Sequence, residues 1–331
     1  MKKAFLLILF SGIAFAQPEF SSISSSPGAF SRMGFGARGI GMGNSMSAVT
    51  EGNLVSYYNP ALSAFQEKSS FQTSYSFLSL DRKLNFINFT HRFDFYDKAD
   101  KNDENRVPKS SAGISIGIIN AGVSNIDGRD GSGNPTGELS TGENQIFFAF
   151  SNKFSKKLAL GIAIKYYRYK LYENLTSSGI GFDIGAIYTL NEQIHFSFVL
   201  TDINSKYKWD TTPLFGTNGS NTVDNFPLLK KIGISYKNTD YNFLVSAEFE
   251  NSNEGTNILR IGAEYNIYDQ LYLRGGIDQY NLSNTDFPAR PSLGFSYFKM
   301  FGKLLIGVDY AFVVERYSPS DRHIIGLNFR F

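Results

Sequence analysis

The most enzyme-like motif in this chain is the glycine-rich segment 34–39, G-F-G-A-R-G, which spells G-x-G-x-x-G. In dinucleotide-binding proteins this spacing lets the backbone approach a pyrophosphate, provided that an apolar strand precedes it and a helix follows. Here a serine-rich coil, residues 21–31, precedes the glycines. We therefore predict no nucleotide site and no cofactor.

Oxygen-bearing side chains are grouped in a second glycine-rich segment. Asp127, Asp130, Ser132 and Asn134 offer the hard oxygen ligands that calcium prefers. Their spacing does not follow the EF-hand loop, in which the ligands and one glycine occupy fixed positions. We predict a solvated turn at this position and no metal site.

Residue types used in catalysis are present but widely separated. His91, His195 and His323 fall on separate segments without ligand spacing, and neither G-x-S-x-G nor H-E-x-x-H occurs. A Ser–His–Asn site on a barrel wall, as in an outer-membrane phospholipase, stays open because its members come from different strands. Nothing in the sequence points to such a site, so we predict a non-enzymatic protein.

Composition excludes several further classes. The chain has no cysteine, which rules out disulfides and thiolate metal sites, and its net charge is only +2. Its 32 Lys and Arg residues are scattered, so no nucleic-acid partner is predicted. The 31 Phe, 19 Tyr and 31 Gly favour pleated sheet, and past the first 16 residues no apolar run is long enough to cross a bilayer as a helix.

The first 16 residues have the pattern of a cleaved secretory signal peptide. Lys2 and Lys3 give a charged start, an apolar stretch follows, and residues 14–16 read A-F-A. We place the mature start at Gln17. A buried N-terminal helix is the less favoured alternative.

From about residue 70 the chain becomes a series of alternating segments separated by turn residues. Each is close to the nine to eleven residues that a tilted transmembrane strand needs. We predict fourteen strands: 70–79, 84–93, 111–121, 143–154, 157–170, 179–190, 193–202, 229–238, 241–250, 257–267, 270–280, 290–299, 303–314 and 321–331.

The last strand favours a membrane barrel over a soluble sandwich. Between His323 and Phe331 the odd positions are mainly apolar and the even positions are mainly small or polar. A chain that ends on an aromatic residue of the apolar face is typical of an outer-membrane barrel, and we interpret Phe331 as its assembly signal. The sequence therefore predicts an all-β, fourteen-stranded antiparallel transmembrane barrel over 67–331, located in a bacterial outer membrane with lipid and the barrel-assembly machinery as partners.

Connection lengths support this topology. With the C-terminus on the periplasmic side, the predicted turns on that side are short and most outer loops, including 122–142, 171–178 and 203–228, are longer. Two connections break the rule: 80–83 is short on the outer side, and 94–110 is long and charged on the periplasmic side. Either an early strand is misplaced, or the protein carries a periplasmic insertion.

One hairpin permits a prediction of register. If residues 268–270 form the loop, Glu264 lies opposite Arg274 and Arg260 opposite Asp278. Both pairs combine opposite charges and point into the lumen.

Residues 17–66 lack strand alternation, and we predict a lead-in followed by a small plug inside the barrel. Closely spaced glycines permit tight contact with a barrel wall. Asn59 followed by Pro60 predicts a helix start, with a short helix over 61–65.

Two motifs in this part resemble the N-terminal signature of the PorV/PorQ family, within the FadL-like group of fourteen-stranded barrels. The resemblance implies that both motifs lie in the plug. The first motif, G-x-R-x-x-G-M-G, matches these residues: Gly36, Arg38, Gly41, Met42 and Gly43. The second, Y-x-N-P-A, matches these: Tyr57 or Tyr58, with Asn59, Pro60 and Ala61.

The resemblance implies a role in type IX secretion, with the translocon and its cargo as partners. We expect partner contacts from the long outer loops 122–142 and 203–228. The second of these contains four aromatic residues suited to protein recognition: Tyr207, Trp209, Phe215 and Phe226.

An alternative function is a FadL-like channel for hydrophobic small molecules. Such a channel needs an apolar pocket between plug and wall, for which we predict Phe30, Phe35, Leu244 and Ile258 as lining residues. The many charges on the predicted lumen face argue against it. A secreted all-β binding protein is a third possibility.

Overall fold

The computed structural model describes residues 22–96, 108–172 and 174–331. The predicted signal peptide, residues 1–16, lies outside the described residues, as does most of the connection 94–110. Within the described ranges, no helix is both long and apolar enough to cross a membrane.

The described residues form sixteen strands: β1 (Ser70–Phe77), β2 (Arg82–Phe95), β3 (Ser110–Arg129), β4 (Pro135–Lys153), β5 (Leu158–Tyr172), β6 (Leu175–Thr189), β7 (Ile194–Ile203), β8 (Lys206–Asp210), β9 (Asn221–Asn225), β10 (Leu229–Asn238), β11 (Phe243–Ser252), β12 (Asn257–Tyr268), β13 (Leu271–Asn281), β14 (Arg290–Phe301), β15 (Leu304–Val313) and β16 (Arg322–Arg330). All except β8 and β9 close into one antiparallel barrel, with β1 paired to β16. The predicted fourteen-stranded antiparallel barrel is therefore confirmed.

Side chains divide between the two faces of the barrel as a period of two requires. On β5, Leu160, Ile162 and Ile164 are exposed on the outside, whereas Ala159 and Ala163 are buried on the inside. The outward apolar stretch of this strand, 158–166, covers roughly 27 Å of strand, or about 20 Å along the barrel axis at a tilt of about 40°. An outward face of this kind requires hydrocarbon and not water as its solvent.

Two predicted outer loops are wrong, because strands occupy most of their length. β3 and β4 are 20 and 19 residues long, and their pairing continues to Arg129 and Pro135, leaving only a short turn within the predicted loop 122–142. β5 and β6 likewise pair up to Tyr172 and Leu175, so the predicted loop 171–178 is mostly strand. These extensions are polar, and their alternation is too weak to read from the sequence.

The predicted loop 203–228 contains the β8–β9 hairpin, a separate two-stranded sheet, and two helical turns, Thr212–Phe215 and Gly216–Asn218. Because this hairpin is inserted between β7 and β10, those two strands pair directly with each other in the barrel.

Strand β16 has the predicted orientation. His323, Ile325 and Leu327 are exposed on the outside, and Ile324, Gly326 and Asn328 are buried on the inside. Phe331 lies just past the strand, where its backbone N–H donates to the carbonyl of Ser69 at 3.1 Å and its ring is exposed. Its role as an assembly signal stays a prediction.

The two irregular connections do not come from a misplaced strand, since β1, β2 and β3 all form. The connection between β1 and β2 is short, and Phe95 and Ser110, between which the long connection runs, lie at the end of the barrel that carries the C-terminus. Residues 97–107 of that connection lie outside the described residues.

Between residues 22 and 69 the structure has four short helices: Ser22–Ser25, Ala29–Arg32, α1 (Gly36–Gly41) and Pro60–Phe65. The predicted helix start is present, because the Asn59 side chain accepts a hydrogen bond from the N–H of Ala61 at 2.9 Å. The helix is of the 3-10 type. We refer to residues 22–66 as the N-terminal segment.

A charge placed in the middle of the outward face should destabilise the barrel. Ile162→Arg is expected to lower the free energy of unfolding in lipid vesicles by about 2–4 kcal/mol, because an arginine at the bilayer midplane is poorly solvated. Ser178→Arg, outward on the neighbouring strand but near its outer end, should lower it by only about 0–1 kcal/mol. Denaturant titrations that gave equal losses would contradict the membrane-facing assignment.

Candidate functional site in the barrel lumen

The first motif of the N-terminal segment packs directly on the inner wall of β12, β13 and β14. A Cβ added at Gly276 would lie 2.2 Å from the backbone nitrogen of Gly43, and one at Gly262 would lie 2.3 Å from the carbonyl oxygen of Met42. Gly43 also has a φ of +59°, which glycine adopts without strain. Glycine on both sides is therefore what allows backbone to lie against backbone here.

Arg38 connects this motif to the wall by charge. Its Nε and Nη2 donate to the two carboxylate oxygens of Glu264 at 3.0 and 2.9 Å, and its Nη1 donates to the Glu51 carbonyl at 2.6 Å. Glu264 also pairs with Arg274, which lies directly opposite on β13. One buried carboxylate thus joins a residue of the segment to a residue of the wall.

The second predicted pair lies where the register of β12 and β13 shifts. Ile261 pairs with Ile277 in the predicted register, but Leu259 pairs with Tyr280, so two residues of β13, Asp278 and Gln279, face Arg260. The side chains of the predicted pair meet, with Arg260 Nε 2.7 Å from Asp278 Oδ1. Arg260 also contacts two carboxylates of β11, those of Glu248 at 3.3 Å and Glu250 at 3.1 Å. A one-residue bulge is not visible in the sequence pattern.

The second motif lies on the opposite side of the lumen. The Asn59 Nδ2 donates to the Ser47 carbonyl at 2.9 Å and to the Ala186 carbonyl of β6 at 3.2 Å. A Cβ at Gly161 of β5 would lie 2.4 Å from the carbonyl carbon of Pro60. Ala61 is fully buried beside it.

Three of the four aromatic residues predicted to bind a partner are buried. Tyr207, Trp209 and Phe226 are 1%, 7% and 4% exposed, because the β8–β9 hairpin lies against the inner face of β6, while Phe215 is 62% exposed. The Trp209 indole N–H donates to Asp224 at 2.8 Å. Burial raises the pKa of the Tyr207 hydroxyl. The expected surface of four exposed rings is therefore absent from this loop.

A cavity of about 480 Å³ opens at the end of the barrel opposite the C-terminus. Its floor is the start of the N-terminal segment, and its walls are the ends of β1, β12, β13 and β16 with their connections. Six apolar residues line it: Ile23, Ala29, Met33, Leu78, Ile258 and Phe287. Of the four lining residues predicted, only Ile258 is present.

The other predicted lining residues pack elsewhere. The Phe35 ring lies 4.8 Å from that of Phe86 in the core between segment and wall, Phe30 is buried, and Leu244 is buried on β11.

Arginines at the rim and floor of the cavity were not predicted from the sequence. Arg322 is 2% exposed and donates to the Met33 carbonyl at 3.2 Å. The alternation of the last strand predicts inward side chains at even positions, and extending it by one residue to Arg322 would have placed this side chain inside.

Below this cavity, two further spaces between segment and wall measure only about 20 and 10 Å³. Spaces of this size hold about one water molecule. A solute in the upper cavity therefore meets a packed layer of protein.

The remaining motifs are not brought together. Asp130 accepts hydrogen bonds from the backbone N–H groups of Ser132 and Asn134, each at 2.9 Å, and closes the turn between β3 and β4. Bonding to the side chain and backbone of Asn134 lowers the pKa of this carboxyl. His91, His195 and His323 each bond one hydroxyl, on three separate strands.

The arrangement defines a class of protein: a closed fourteen-stranded barrel whose lumen contains the packed N-terminal segment, with a cavity at one mouth. Two solved structures have a similar fold. The toluene transporter TodX of Pseudomonas putida aligns with a TM-score of 0.58 at 14% identity over 89% of this chain and 96% of TodX. A FadL homologue of Pseudomonas aeruginosa aligns with a TM-score of 0.55 at 11% identity over 90% of this chain and 98% of that one.

At these identities the likeness concerns the fold alone. No protein-family profile matches the sequence, and no curated protein matches it either. Solved structures with a similar fold thus include barrels of the FadL-like type predicted from the sequence, whereas the PorV/PorQ resemblance is not confirmed.

The close contact of segment and wall can be tested at a glycine. Gly276→Ala is expected to lower the free energy of unfolding by about 1–3 kcal/mol, because the added methyl group meets the backbone of residues 42 and 43. Gly131→Ala is the control, since a Cβ there meets nothing within 4 Å. Denaturant titrations with equal midpoints for both variants would disprove the contact.

Removing Glu264 should be far more damaging than removing an exposed carboxylate. Glu264→Ala leaves Arg38 and Arg274 buried without their shared partner, for which we expect a loss of about 3–5 kcal/mol. Asp127→Ala removes the exposed ion pair with Arg129 and should cost about 0–1 kcal/mol. Similar losses of unfolding free energy for the two variants would argue against a buried ion-pair contact between the N-terminal segment and the barrel wall.

Proposed function

We propose that this protein is a bacterial outer-membrane barrel that admits hydrophobic small molecules from the cell exterior. The cavity at the mouth carries this proposal. It lies on the side that becomes external if the C-terminus is periplasmic, and its volume and partly apolar lining suit a small organic molecule.

Similarity of fold supports the same function. TodX is described as a toluene transporter and a monoaromatic hydrocarbon channel. The N-terminal segment is, in our proposal, a plug that keeps the lumen closed to water-soluble compounds. A hydrophobic solute would first occupy the mouth cavity, and the plug would then have to shift for the solute to pass.

The type IX secretion role implied by the family resemblance has no support from the comparisons. The loop expected to contact partners keeps only Phe215 of its four rings exposed. We therefore favour the channel, and cargo secretion should be unaffected by loss of this protein.

Filling the cavity should block uptake. Ile258 faces inward on β12 and lines the cavity, so Ile258→Trp is expected to reduce uptake of labelled toluene by deletion cells that express the variant, to about a tenth of the wild-type rate or less. Ile261→Trp is the matched control, because Ile261 lies on the same strand but is 48% exposed on the outside. It should transport normally.

The same cells give the outcomes that would refute the proposal. Wild-type uptake by Ile258→Trp would exclude the cavity from the path. No difference between deletion and wild-type cells, for toluene and for longer apolar probes, would refute the channel function. Heat-modifiable migration on gels would verify that both variants fold.

A further inference from the structure

A row of polar side chains crosses the outer surface of the barrel, where apolar residues are expected. Asn85, Asn120, Asn144 and Arg168 are direct register partners on β2, β3, β4 and β5. The alternation of these strands places all four side chains outside. Asn120 and Arg168 are exposed, and Asn85 and Asn144 are partly exposed.

The amides of this row are linked to one another. The Asn85 Nδ2 donates to Asn120 Oδ1 at 3.2 Å, and the Asn120 Nδ2 donates to Asn144 Oδ1 at 2.7 Å. The chain of bonds fixes which way each amide points, and it leaves one N–H of each donor amide free for an outside partner. A fixed row of donors and acceptors is suited to a ligand rich in hydroxyl groups.

Cations flank the row on its outer side. Lys83 and Lys170 lie one outward position further along β2 and β5, separated in register by Gly122 and Gly142. Both lysines and Arg168 are exposed, and within the described part of the chain none of the three has an ion-pair partner. The carboxylate of Glu143, next to Asn144 in sequence, instead accepts a hydrogen bond from the Tyr207 hydroxyl at 3.4 Å.

An apolar row lies directly below the polar one. Its members are register partners across β2 to β6, and each is between 38% and 54% exposed: Ile87, Ile118, Ile146, Tyr166 and Ile180. The boundary between hydrocarbon and headgroups therefore passes between these two rows.

The polar row does not continue around the barrel. On β1, Tyr75 is the register partner of Asn85 and Phe77 is that of Lys83. Next to Tyr75, β16 places Ile325. These polar side chains therefore form a sector that ends at β1, and on its other side Ser178 of β6 is the register partner of Arg168.

We propose that this sector, defined by Lys83, Asn85, Asn120, Asn144, Arg168 and Lys170, binds the headgroup of a phosphorylated glycolipid in the outer leaflet. The proposal rests on the proposed outer-membrane location. The guanidinium of Arg168 matches a phosphate in a bidentate manner, and the lysines add point charges. The amide row faces the sugar hydroxyls, and the acyl chains lie along the isoleucine row.

The binding can be measured on the purified, folded barrel by native mass spectrometry with lipid A that bears two phosphates. The double variant Arg168→Ala/Lys170→Ala is expected to bind at least about tenfold more weakly, since each lost charge-assisted bond is worth roughly a factor of ten. Lys299→Ala is the control, because Lys299 is an exposed cation of β14 near the end of the barrel that carries the C-terminus. Its affinity should equal that of the wild type.

Two results would overturn the proposal. One is wild-type affinity in the double variant. The other is equal binding of dephosphorylated lipid A or of phosphatidylglycerol, which would reduce the sector to a general lipid contact. Toluene uptake by the double variant separates this question from the proposed channel function, because none of these residues lines the mouth cavity. Lost lipid binding with normal uptake is the expected result.

Discussion

The structure depends on the fact that a membrane cannot solvate a polar group. Closing the sheet into a barrel gives the backbone N–H and C=O groups of the strands hydrogen-bond partners. It also sorts the side chains into two faces, because every second residue of a strand faces lipid and must be apolar. Charged side chains midway along the strands, such as Lys165, Glu248 and Asp309, are then buried inside, where an unpaired ion is costly. Glu264 shows the result: it lies between Arg274 of the wall and Arg38 of the N-terminal segment, so buried ion pairs join the segment to the barrel.

The same division explains the packing of the lumen. Where the segment packs on β12 and β13, a lumen-facing position carries either a charged side chain with a partner or no side chain at all. Gly262 and Gly276 take the second course, and the backbone of Met42 and Gly43 lies against them. Charge pairs and glycine contacts therefore alternate along one wall, and together they fix the height of the segment in the barrel.

Much of the fold could be predicted, because a membrane strand has a strong period of two. The fourteen barrel strands lie close to their predicted positions, whereas the mainly polar extensions of β3 and β4 were missed, since their few apolar residues do not alternate regularly with polar ones. The bulge opposite Arg260 adds one residue to β13, and the amino-acid composition of the strand does not reveal it. Burial of Tyr207 and Trp209 was not predicted, because a loop that packs inside a lumen and a loop that binds a partner can have the same aromatic-rich sequence. The mouth cavity is lined by residues that range from Ile23 to Arg322 in the sequence, so no short sequence motif could have predicted it.

The N-terminal segment is attached unevenly to the barrel. Towards β11, β12 and β13 it makes contacts with charged groups, including Arg38 to Glu264 and the Asn44 amide to Asp278 at 2.9 Å. Towards β4 and β6 its bonds are neutral, as between the hydroxyls of Ser63 and Ser151 at 2.7 Å. Breaking a buried charge pair costs about 3–5 kcal/mol, and a neutral hydrogen bond contributes only about 0.5–1.5 kcal/mol. The wall that holds the segment most firmly is thus the wall whose outer end forms much of the mouth cavity.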